Sequence, residues 1–261
     1  MPPRALILRT AGTNCDRETE FAFATAGAAP ERVHVNRLIE NPALLDDYQI
    51  LCIPGGFSYG DDLGAGRVLA SQLAVHVSDR LRKFLDRGGL ALGICNGFQV
   101  LVKMGLLPGP VNKHDGPFSQ TATVTYNDSG RFEDRWVYLR ADTDQCVFLE
   151  KGEVIYLPVA HGEGKVIPRD AQQLAALRRL GRVALRYVAQ DGSDAAGFPA
   201  NPNGSIDNIA GLTDATGRIL GLMPHPERHL TGLHHPQWTR KGLAPEGDGL
   251  RFFRRAVQYF K

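Results

Sequence analysis

Apolar positions in the first hundred residues alternate between short runs typical of strands and longer runs with helical spacing. Residues 5–9, 32–38 and 49–53 are short, largely apolar segments bounded by turn-forming or polar residues, which predicts three strands. A turn after the first segment leads into a predicted helix with Asp16 and Glu18 in its first turn. Strands that alternate with helices predict a parallel sheet covered by helices on both faces.

Apolar residues at helical spacing over residues 68–85 predict one long helix, which ends before Gly88-Gly89. Residues 90–92 then predict a buried strand, and residues 98–104 predict a helix that ends at Gly105. A single tight turn around Cys95 must connect this strand to this helix.

The second half of the chain has a different pattern, with short strand-like runs and few helices. Residues 121–126 and 136–140, separated by the turn Asn127-Asp128-Ser129-Gly130, predict a hairpin. The remaining segments predict four strands, a helix and a loop: strands 153–160, 183–188, 209–212 and 218–223, helix 170–180 and loop 197–205. This half is therefore expected to add antiparallel strands to the sheet.

Composition and charge narrow the class of protein. A chain of 261 residues that is 43% hydrophobic is expected to form a single domain over 1–261, with a C-terminal extension at about 231–261. A formal charge of +2 gives no reason to expect nucleic acid or membrane as a partner. The widely spaced cysteines, the absence of a signal-like N-terminus and the absence of a long apolar stretch predict a cytoplasmic protein.

The turn around Cys95 carries the main chemical signal. Glycines at 93 and 97 allow a sharp bend and a close approach of strand and helix, as in a nucleophile elbow. The N-terminal end of the following helix favours the thiolate form of the cysteine, which is the nucleophile. The alternative is a small buried cysteine at a strand end.

A thiol nucleophile needs a base and a group that orients the base. His225, between Pro224 and Pro226, can serve as the base, and Glu227 can hold its far ring nitrogen. The alternative is an ordinary surface histidine on a loop. Because both Cys95 and His225 follow predicted strands, we expect them to meet at the carboxyl edge of the sheet.

Donors for a developing oxyanion are expected from two backbone positions. The N–H of Asn96 follows the nucleophile, and the turn at Gly55-Gly56 brings a second N–H close to the same place. The alternative for the two glycines is a tight turn without function. His161 with Glu163, and His234 with His235, lack the spacing of a multi-ligand metal site, so no metal is expected.

These segments resemble the class I glutamine amidotransferases, and specifically the glutaminase subunits of phosphoribosylformylglycinamidine synthase. Four segments carry the resemblance: Ile53-Pro54-Gly55-Gly56-Phe57-Ser58-Tyr59-Gly60-Asp61, Gly93-Ile94-Cys95-Asn96-Gly97-Phe98-Gln99, His161-Gly162-Glu163-Gly164 and Met223-Pro224-His225-Pro226-Glu227-Arg228. The resemblance implies a flavodoxin-like α/β fold. It also implies site residues: a catalytic triad of Cys95, His225 and Glu227, an oxyanion hole of Gly56 and Asn96, and glutamine contacts from Phe57, Gln99, His161 and Gly162.

The activity implied by the resemblance is hydrolysis of L-glutamine, with the ammonia passed to a synthetase subunit that uses ATP and Mg²⁺ to make an amidine in purine biosynthesis. A small third subunit is a further implied partner, and no cofactor is expected in this chain. The residues leave three alternatives open: another class I amidotransferase, a stand-alone cysteine hydrolase of the same fold, and a regulatory subunit without chemistry. Two features depart from the usual free subunit, namely Gly64 in place of a common arginine and a tail from His234 that resembles the fused enzyme.

Overall fold

A nine-stranded sheet organises the protein, as seen in a computed structural model that describes residues 1–112, 115–116 and 118–261. The strands are β1 (Arg4–Arg9), β2 (Ala29–His34), β3 (Ile50–Ile53), β4 (Leu90–Ile94), β5 (Ala122–Thr125), β6 (Glu133–Ala141), β7 (Val154–His161), β8 (Lys165–Pro168), β9 (Val183–Val188), β10 (Ile209–Thr213) and β11 (Ile219–Leu222). Strands β5 and β8 form a separate two-stranded sheet.

Helices connect and cover the strands. They are α1 (Asp16–Thr25), α2 (Val35–Glu40), α3 (Arg67–His76), α4 (Ser78–Asp86), α5 (Asn96–Lys103), α6 (Ala171–Arg179), α7 (Trp238–Lys241) and α8 (Leu250–Gln258). Within the described residues, no helix combines the length and the apolar character needed to cross a bilayer.

The order of strands in the large sheet is β2-β1-β3-β4-β11-β10-β9-β6-β7. The first five of these strands are parallel, and the remaining strands join by antiparallel pairing. The expected fold class is confirmed, since antiparallel strands from the second half extend a parallel α/β sheet. The neighbouring strands β1, β3, β4 and β11 therefore end at one edge of the sheet.

The predicted strand at residues 32–38 is displaced in the structure. Strand β2 starts at Ala29, where it pairs with β1, and it ends at His34. The His34 Nδ1 atom accepts a hydrogen bond of 3.2 Å from the Asn36 N–H, which caps the N-terminus of α2. The apolar positions that follow therefore belong to a helix that the sequence pattern assigned to the strand.

The single long helix predicted over residues 68–85 is wrong, because the structure has two helices, α3 and α4. The backbone of Val77 is non-helical, with φ −124° and ψ −11°, and its buried side chain separates them. Ser78 and Asp79 begin the second helix with residues that favour a helix N-terminus. Helical spacing alone does not reveal a break that preserves the buried face.

The hairpin predicted for residues 121–140 is also wrong. Strand β5 pairs with β8, whereas β6 pairs with β7 and β9 in the large sheet. The intervening Asn127 is 3% exposed and donates its backbone N–H to the Gly162 carbonyl at 2.9 Å. The turn residues are therefore used to hold a distant segment and not to pair the two flanking runs.

The tail beyond residue 230 folds back onto the first helix. On α8, the side chains of Leu250, Phe253 and Val257 are buried, as the spacing predicted. The Phe253 ring packs edge-on against Phe23 of α1, with ring centroids 4.9 Å apart. The tail helix thus covers the outer face of α1.

Asn127 fixes the segment that follows β7. Its amide nitrogen donates to the His161 carbonyl at 2.8 Å, and its amide oxygen accepts the Gly164 N–H at 2.9 Å and the His161 Nδ1 proton at 3.2 Å. The imidazole is 3% exposed, and its Nε2 lies 3.5 Å from the Asn203 amide nitrogen. Burial, with His225 nearby, lowers the pKa of His161 to about 3.

Because His161 is buried and neutral, the free energy of unfolding depends on pH. In the unfolded chain this imidazole binds a proton below its ordinary pKa of about 6.5, whereas the folded protein excludes the proton until about pH 3. The unfolding free energy therefore falls as the pH falls through this window. His161 alone is expected to contribute a loss of about 2 kcal/mol between pH 7 and pH 5.

Urea unfolding of the wild type and of His161→Gln at pH 7 and pH 5 tests this expectation. The loss on acidification should be smaller in His161→Gln by about 2 kcal/mol, whatever its absolute stability. The control is His76→Gln, which removes an exposed imidazole and should keep the wild-type loss. Equal losses in wild type and His161→Gln would contradict the assignment of a neutral imidazole.

Candidate active site

Four loops meet at the edge where the parallel strands end. The loop after β1 carries Cys15, the loop after β3 carries Gly55 and Gly56, Cys95 follows β4, and His225 follows β11. A Cβ atom placed on Gly55 would lie 2.8 Å from His225 Cε1, 3.1 Å from Cys15 Sγ and 3.5 Å from Cys95 Cβ. Three of the loops therefore bring a side chain to the same point beside Gly55.

Cys95 occupies the strained turn that the glycine pair predicted. Its backbone has φ 51° and ψ −105°, a conformation that a non-glycine residue rarely adopts. A Cβ atom on Gly97 would lie 1.8 Å from the Ile53 carbonyl oxygen, and one on Gly93 would lie 2.7 Å from the Gly97 oxygen. Helix α5 can approach β3 and β4 this closely only because both positions lack a side chain.

His225 and Glu227 form a buried pair. The His225 Nδ1 atom lies 2.6 Å from Glu227 Oε1, and both residues are 2% exposed. The His225 backbone N–H donates to the Pro158 carbonyl of β7 at 2.8 Å, which fixes the loop. The backbone of His225 is extended, whereas Pro226–Arg228 form a 3₁₀ turn.

The second ring nitrogen of His225 is buried without a partner. Among the described residues, no hydrogen-bond partner occupies His225 Nε2, although the ring lies beside Cys15 and Cys95 at Gly55. Burial alone would lower the pKa of His225, but the Glu227 carboxylate and the Cys95 sulfur raise it well above its ordinary value. The site therefore favours a protonated imidazole beside the Cys95 sulfur.

Two backbone donors lie beside Cys95. Gly56 faces Thr13 across an antiparallel bridge, in which Phe57 donates its N–H to the Gly12 carbonyl at 2.9 Å and Cys15 donates its N–H to the Gly55 carbonyl at 3.3 Å, so the Gly56 N–H is not used by this pairing. Asn96 is the first residue of α5, and its N–H is one of the donors that have no acceptor inside a helix. Both positions suit the oxyanion role that the resemblance implied.

The side chain of Asn96 ties the loop after β3 to the elbow. Its amide oxygen accepts the Ser58 N–H at 3.2 Å, and its amide nitrogen donates to Asp61 Oδ1 at 3.2 Å and to Gln99 Oε1 at 3.1 Å. Burial raises the pKa of Asp61 above its ordinary value. Gln99 in turn donates to the Glu163 carbonyl at 2.5 Å. One polar network therefore spans three segments of the site.

A cavity of about 240 Å³ opens onto the Cys95 sulfur. This volume is below the range of roughly 300–1,000 Å³ for drug-sized ligands and suits a ligand as small as an amino acid. The lining includes six of the residues singled out from the sequence, which are Gly56, Phe57, Cys95, Gln99, His161 and Gly162. Asn96 is bonded to the lining residues Asp61 and Gln99, whereas His225 and Glu227 are not among the described lining residues.

Sequence reasoning missed several residues that the structure brings to this place. Asp61, Tyr126, Phe132 and Ala160 line the cavity, together with Glu163 of the segment that carries the resemblance. The Ala160 carbonyl accepts a weak hydrogen bond from the Cys95 thiol, with S···O 3.8 Å. Asp61 lies inside a recognised motif, so the motif could have suggested it. The aromatic residues carry no sequence signal, because only the tertiary fold brings them to the mouth.

Cys15, at the end of the loop after β1, adjoins His225. Within the part of the chain that the structure describes, Cys15, His225 and Glu227 form a cluster whose donor atoms lie within 4.8 Å of one another. Glu227 Oε1 lies 2.6 Å from His225 Nδ1, and Arg228 donates to the Cys15 sulfur at 3.2 Å. His225 Nε2 and Glu227 Oε2 have no hydrogen-bond partner among the described residues.

Comparisons with known proteins place the chain in a family. A family model described as a CobB/CobQ-like glutamine amidotransferase domain matches residues 2–260. The chain is 49% identical over 257 residues to the phosphoribosylformylglycinamidine synthase subunit PurQ of Dehalococcoides mccartyi, a match that covers 98% of this chain and 97% of the relative. The PurQ subunit of Treponema denticola is 43% identical over 88% of this chain and 89% of its own length.

Solved structures with a similar fold indicate the same family. A chain in the structure of PurLQS from Thermotoga maritima is 35% identical, with a TM-score of 0.74 and coverage of 100% of both chains. A glutamine amidotransferase from the same organism shares the fold, with a TM-score of 0.54 at 16% identity. The chain therefore belongs to the PurQ family, the glutamine amidotransferase subunits of phosphoribosylformylglycinamidine synthase.

Proposed function

We propose that the protein hydrolyses the side-chain amide of L-glutamine and passes the ammonia to a synthetase subunit, through a triad of Cys95, His225 and Glu227. One observation carries the proposal: a strained cysteine opens onto a small cavity, with a buried histidine–carboxylate pair behind it. A regulatory subunit without chemistry would have no use for this strain or for a cavity at the sulfur.

In the first step, the Cys95 thiolate attacks the amide carbon of glutamine, and a carbon–sulfur bond forms. The His225 imidazolium then donates its Nε2 proton to the amide nitrogen, the carbon–nitrogen bond breaks and ammonia leaves. A glutamyl thioester remains on Cys95. Glu227 holds the other ring nitrogen, which keeps Nε2 directed toward the sulfur and stabilises the imidazolium.

The tetrahedral intermediate carries its negative charge on the former amide oxygen. The N–H groups of Gly56 and Asn96 are the proposed donors to this oxygen, because the backbone pairing leaves both available beside Cys95. Fixed donors of this kind stabilise the charge without reorganisation. The bridge to Thr13 holds Gly56 in place for this purpose.

Hydrolysis of the thioester completes the cycle. Neutral His225 takes a proton from water, and the resulting hydroxide attacks the thioester carbon. The carbon–sulfur bond breaks, and Cys95 is released as the thiolate beside the protonated His225, as at the start of the cycle. Glutamate leaves as the carboxylate after its acid proton passes to water. No cofactor is assigned to these steps, since the chain's own thiol and imidazole supply the nucleophile and the proton transfer.

Phe57, Gln99, His161 and Gly162 are the proposed glutamine contacts. All four line the cavity with Cys95, and this shared lining supports the assignment. The imidazole of His161 is neutral and is held by Asn127, so it adds shape and polarity without charge. Gln99 is oriented by its bonds to Asn96 and to the Glu163 carbonyl.

The partner in this proposal is the synthetase subunit, which uses ATP and Mg²⁺ to convert formylglycinamide ribonucleotide into formylglycinamidine ribonucleotide. The PurLQS structure and the subunit names of the relatives support such an assembly. We extend the proposal to a small third subunit, to a cytoplasmic location and to the whole chain acting as one domain with the extension at 231–261. Neither nucleic acid nor a membrane is assigned as a partner.

Exposed aromatic side chains surround the mouth of the cavity. Phe57, Tyr126 and Phe132 are 44%, 68% and 54% exposed, and each also lines the cavity. The rings of Phe57 and Phe132 lie 6.4 Å apart. We call these three residues the aromatic rim and propose that the synthetase subunit covers it, because ammonia released into water would be lost.

Replacement of the nucleophile separates glutamine chemistry from ammonia chemistry. In the assembled complex, Cys95→Ala should lower glutamine-dependent amidine synthesis at least about a thousandfold. Ammonia-dependent synthesis should stay within about twofold, because the synthetase does not use the thiol. His225→Ala should lose about as much as Cys95→Ala, and Glu227→Gln should lose less, since members of a triad act as a unit.

The matched control is Cys146→Ala, which removes another buried thiol that is not part of the site. It should keep both activities. Equal loss of the glutamine-dependent and ammonia-dependent rates in a properly assembled Cys95→Ala complex would contradict the proposed role of Cys95.

Docking on the aromatic rim should control turnover. The isolated subunit is expected to be a slow glutaminase, and addition of the synthetase and its nucleotide substrates should raise kcat more than it changes KM, because a covered mouth excludes water and orders the loop after β3. Phe132→Glu should weaken synthetase binding at least about tenfold. Titration calorimetry and steady-state glutaminase assays measure both effects, with Phe21→Glu at an exposed α1 position as the control. An isolated subunit at full rate would refute the coupling.

A further inference from the structure

Asp61 lines the cavity beside Cys95, and the mechanism proposed above gives it no role. The cavity has a volume of about 240 Å³. Among its described lining residues, Asp61 and Glu163 have carboxyl side chains, and none is a lysine or an arginine. Because His161 is neutral, the side chains of the cavity offer a ligand negative charge and no positive charge.

The loop after β3 holds the carboxyl group of Asp61 in a defined position. Its Oδ1 atom accepts the Asn96 side-chain N–H at 3.2 Å and the Gly66 backbone N–H at 3.3 Å. The backbone of Tyr59, Gly60 and Asp61 is left-handed, with φ of 56°, 70° and 55°, and the surrounding structure must maintain this strain at the two non-glycine residues. Oδ2 has no hydrogen-bond partner among the described residues, so it is free to accept from a ligand.

The Asp61 side chain is a carboxylate at neutral pH. Burial raises its pKa above the ordinary value, and the hydrogen bonds from Gly66 and Asn96 act in the opposite direction. The residue is half-buried, so water solvates its charge only in part. A partly desolvated carboxylate is stabilised by a positively charged partner, and a ligand in the cavity can supply one.

Glu163, the second carboxylate of the cavity, has cationic side chains close to it. It also lines a neighbouring cavity of about 450 Å³, together with Arg67 and Lys103. Burial lowers the pKa of Lys103, and the Glu163 carboxylate opposes that shift, so these two charges interact. Asp61 forms no ion pair within the part of the chain that the structure describes. A cationic group on a ligand is therefore expected to bind Asp61 in preference to Glu163.

We propose that Asp61 is a specificity residue that binds the α-ammonium group of L-glutamine, so that the site selects the free amino acid. The proposal rests on the glutamine hydrolysis proposed above and deepens it. An ammonium group has three N–H donors, and its hydrogen bond to a carboxylate is about twice as strong as one between neutral groups. Glutamine within a peptide has an uncharged amide nitrogen at this place, and its binding would leave the Asp61 charge without a counter-charge.

A substrate that lacks only the α-amino group tests this role. The assembled complex should hydrolyse L-glutamine with kcat/KM at least about tenfold above that for 4-carbamoylbutanoate. Asp61→Asn keeps an oxygen acceptor for Asn96 and Gly66 but removes the charge. In this variant kcat/KM for L-glutamine should fall at least about tenfold, whereas kcat/KM for 4-carbamoylbutanoate should stay within about twofold.

A purely structural role of Asp61 would give a different result, because a distorted site would handle both substrates less well. Equal losses for the two substrates in Asp61→Asn would therefore overturn the proposal, and so would a wild-type complex that does not prefer L-glutamine. A wild-type preference in Asp61→Asn together with a lost preference in Glu163→Gln would assign the ammonium to Glu163 and also overturn it. Asp61→Ser, which keeps an oxygen acceptor, replaces Asp61→Asn should that variant not assemble.

The matched control is Asp62→Asn, which removes an exposed carboxylate from the same loop and outside the described lining of the cavity. It should keep the wild-type preference for L-glutamine. Loss of the preference in Asp62→Asn to the same extent as in Asp61→Asn would overturn the proposal, because the effect would then belong to the charge of the loop and not to the cavity.

Binding without turnover separates this inference from the proposed function. Titration calorimetry on the Cys95→Ala complex should give a Kd for L-glutamine at least about tenfold below that of the Cys95→Ala, Asp61→Asn complex, with the Kd of 4-carbamoylbutanoate equal in both within about twofold. No glutamine hydrolysis by the wild-type complex would refute the proposed function, and the binding comparison would still decide the role of Asp61. An equal Kd for L-glutamine in the two complexes would overturn the inference about Asp61 and leave the role of Cys95 intact.

Discussion

The close approach of helix α5 to strands β3 and β4 is the constraint on which the site depends. At Gly97 there is no room for even one carbon atom beside the Ile53 carbonyl. A longer distance would move the Asn96 N–H away from the cysteine and relax the strained backbone of Cys95. Strain of this kind persists only because the packed core around the turn leaves no alternative conformation.

The same edge of the sheet ties the other loops to this turn. Because β1, β3, β4 and β11 are parallel neighbours, the loops that follow them pack against one another. Gly56 approaches Gly12 so closely that a Cβ atom would lie 2.6 Å from the Gly12 oxygen. Arg228, after β11, reaches back to the sulfur of Cys15 and to α1. The proposed nucleophile, base and oxyanion donors are therefore held by one set of packed loops.

Two buried histidines, His161 and His225, differ in charge because the groups around them differ. His161 is surrounded by the amides of Asn127 and Asn203, so burial dominates and its pKa falls to about 3. His225 is buried as well, but the carboxylate of Glu227 raises its pKa well above the ordinary value. One imidazole is therefore a neutral part of the cavity wall, and the other is ready to carry the proton.

The sequence by itself determined the α/β alternation, the elbow at Cys95 and the His225 loop, because periodicity, glycine spacing and proline act over a few residues. It did not determine the partner of β5, the break at Val77 or the position of Cys15. A turn signal does not specify which strands will pair, and the amide of Asn127 was available to any segment until the fold brought residues 161–164 to it. Contacts between distant segments are set by how the whole sheet packs, and only the tertiary structure decides them.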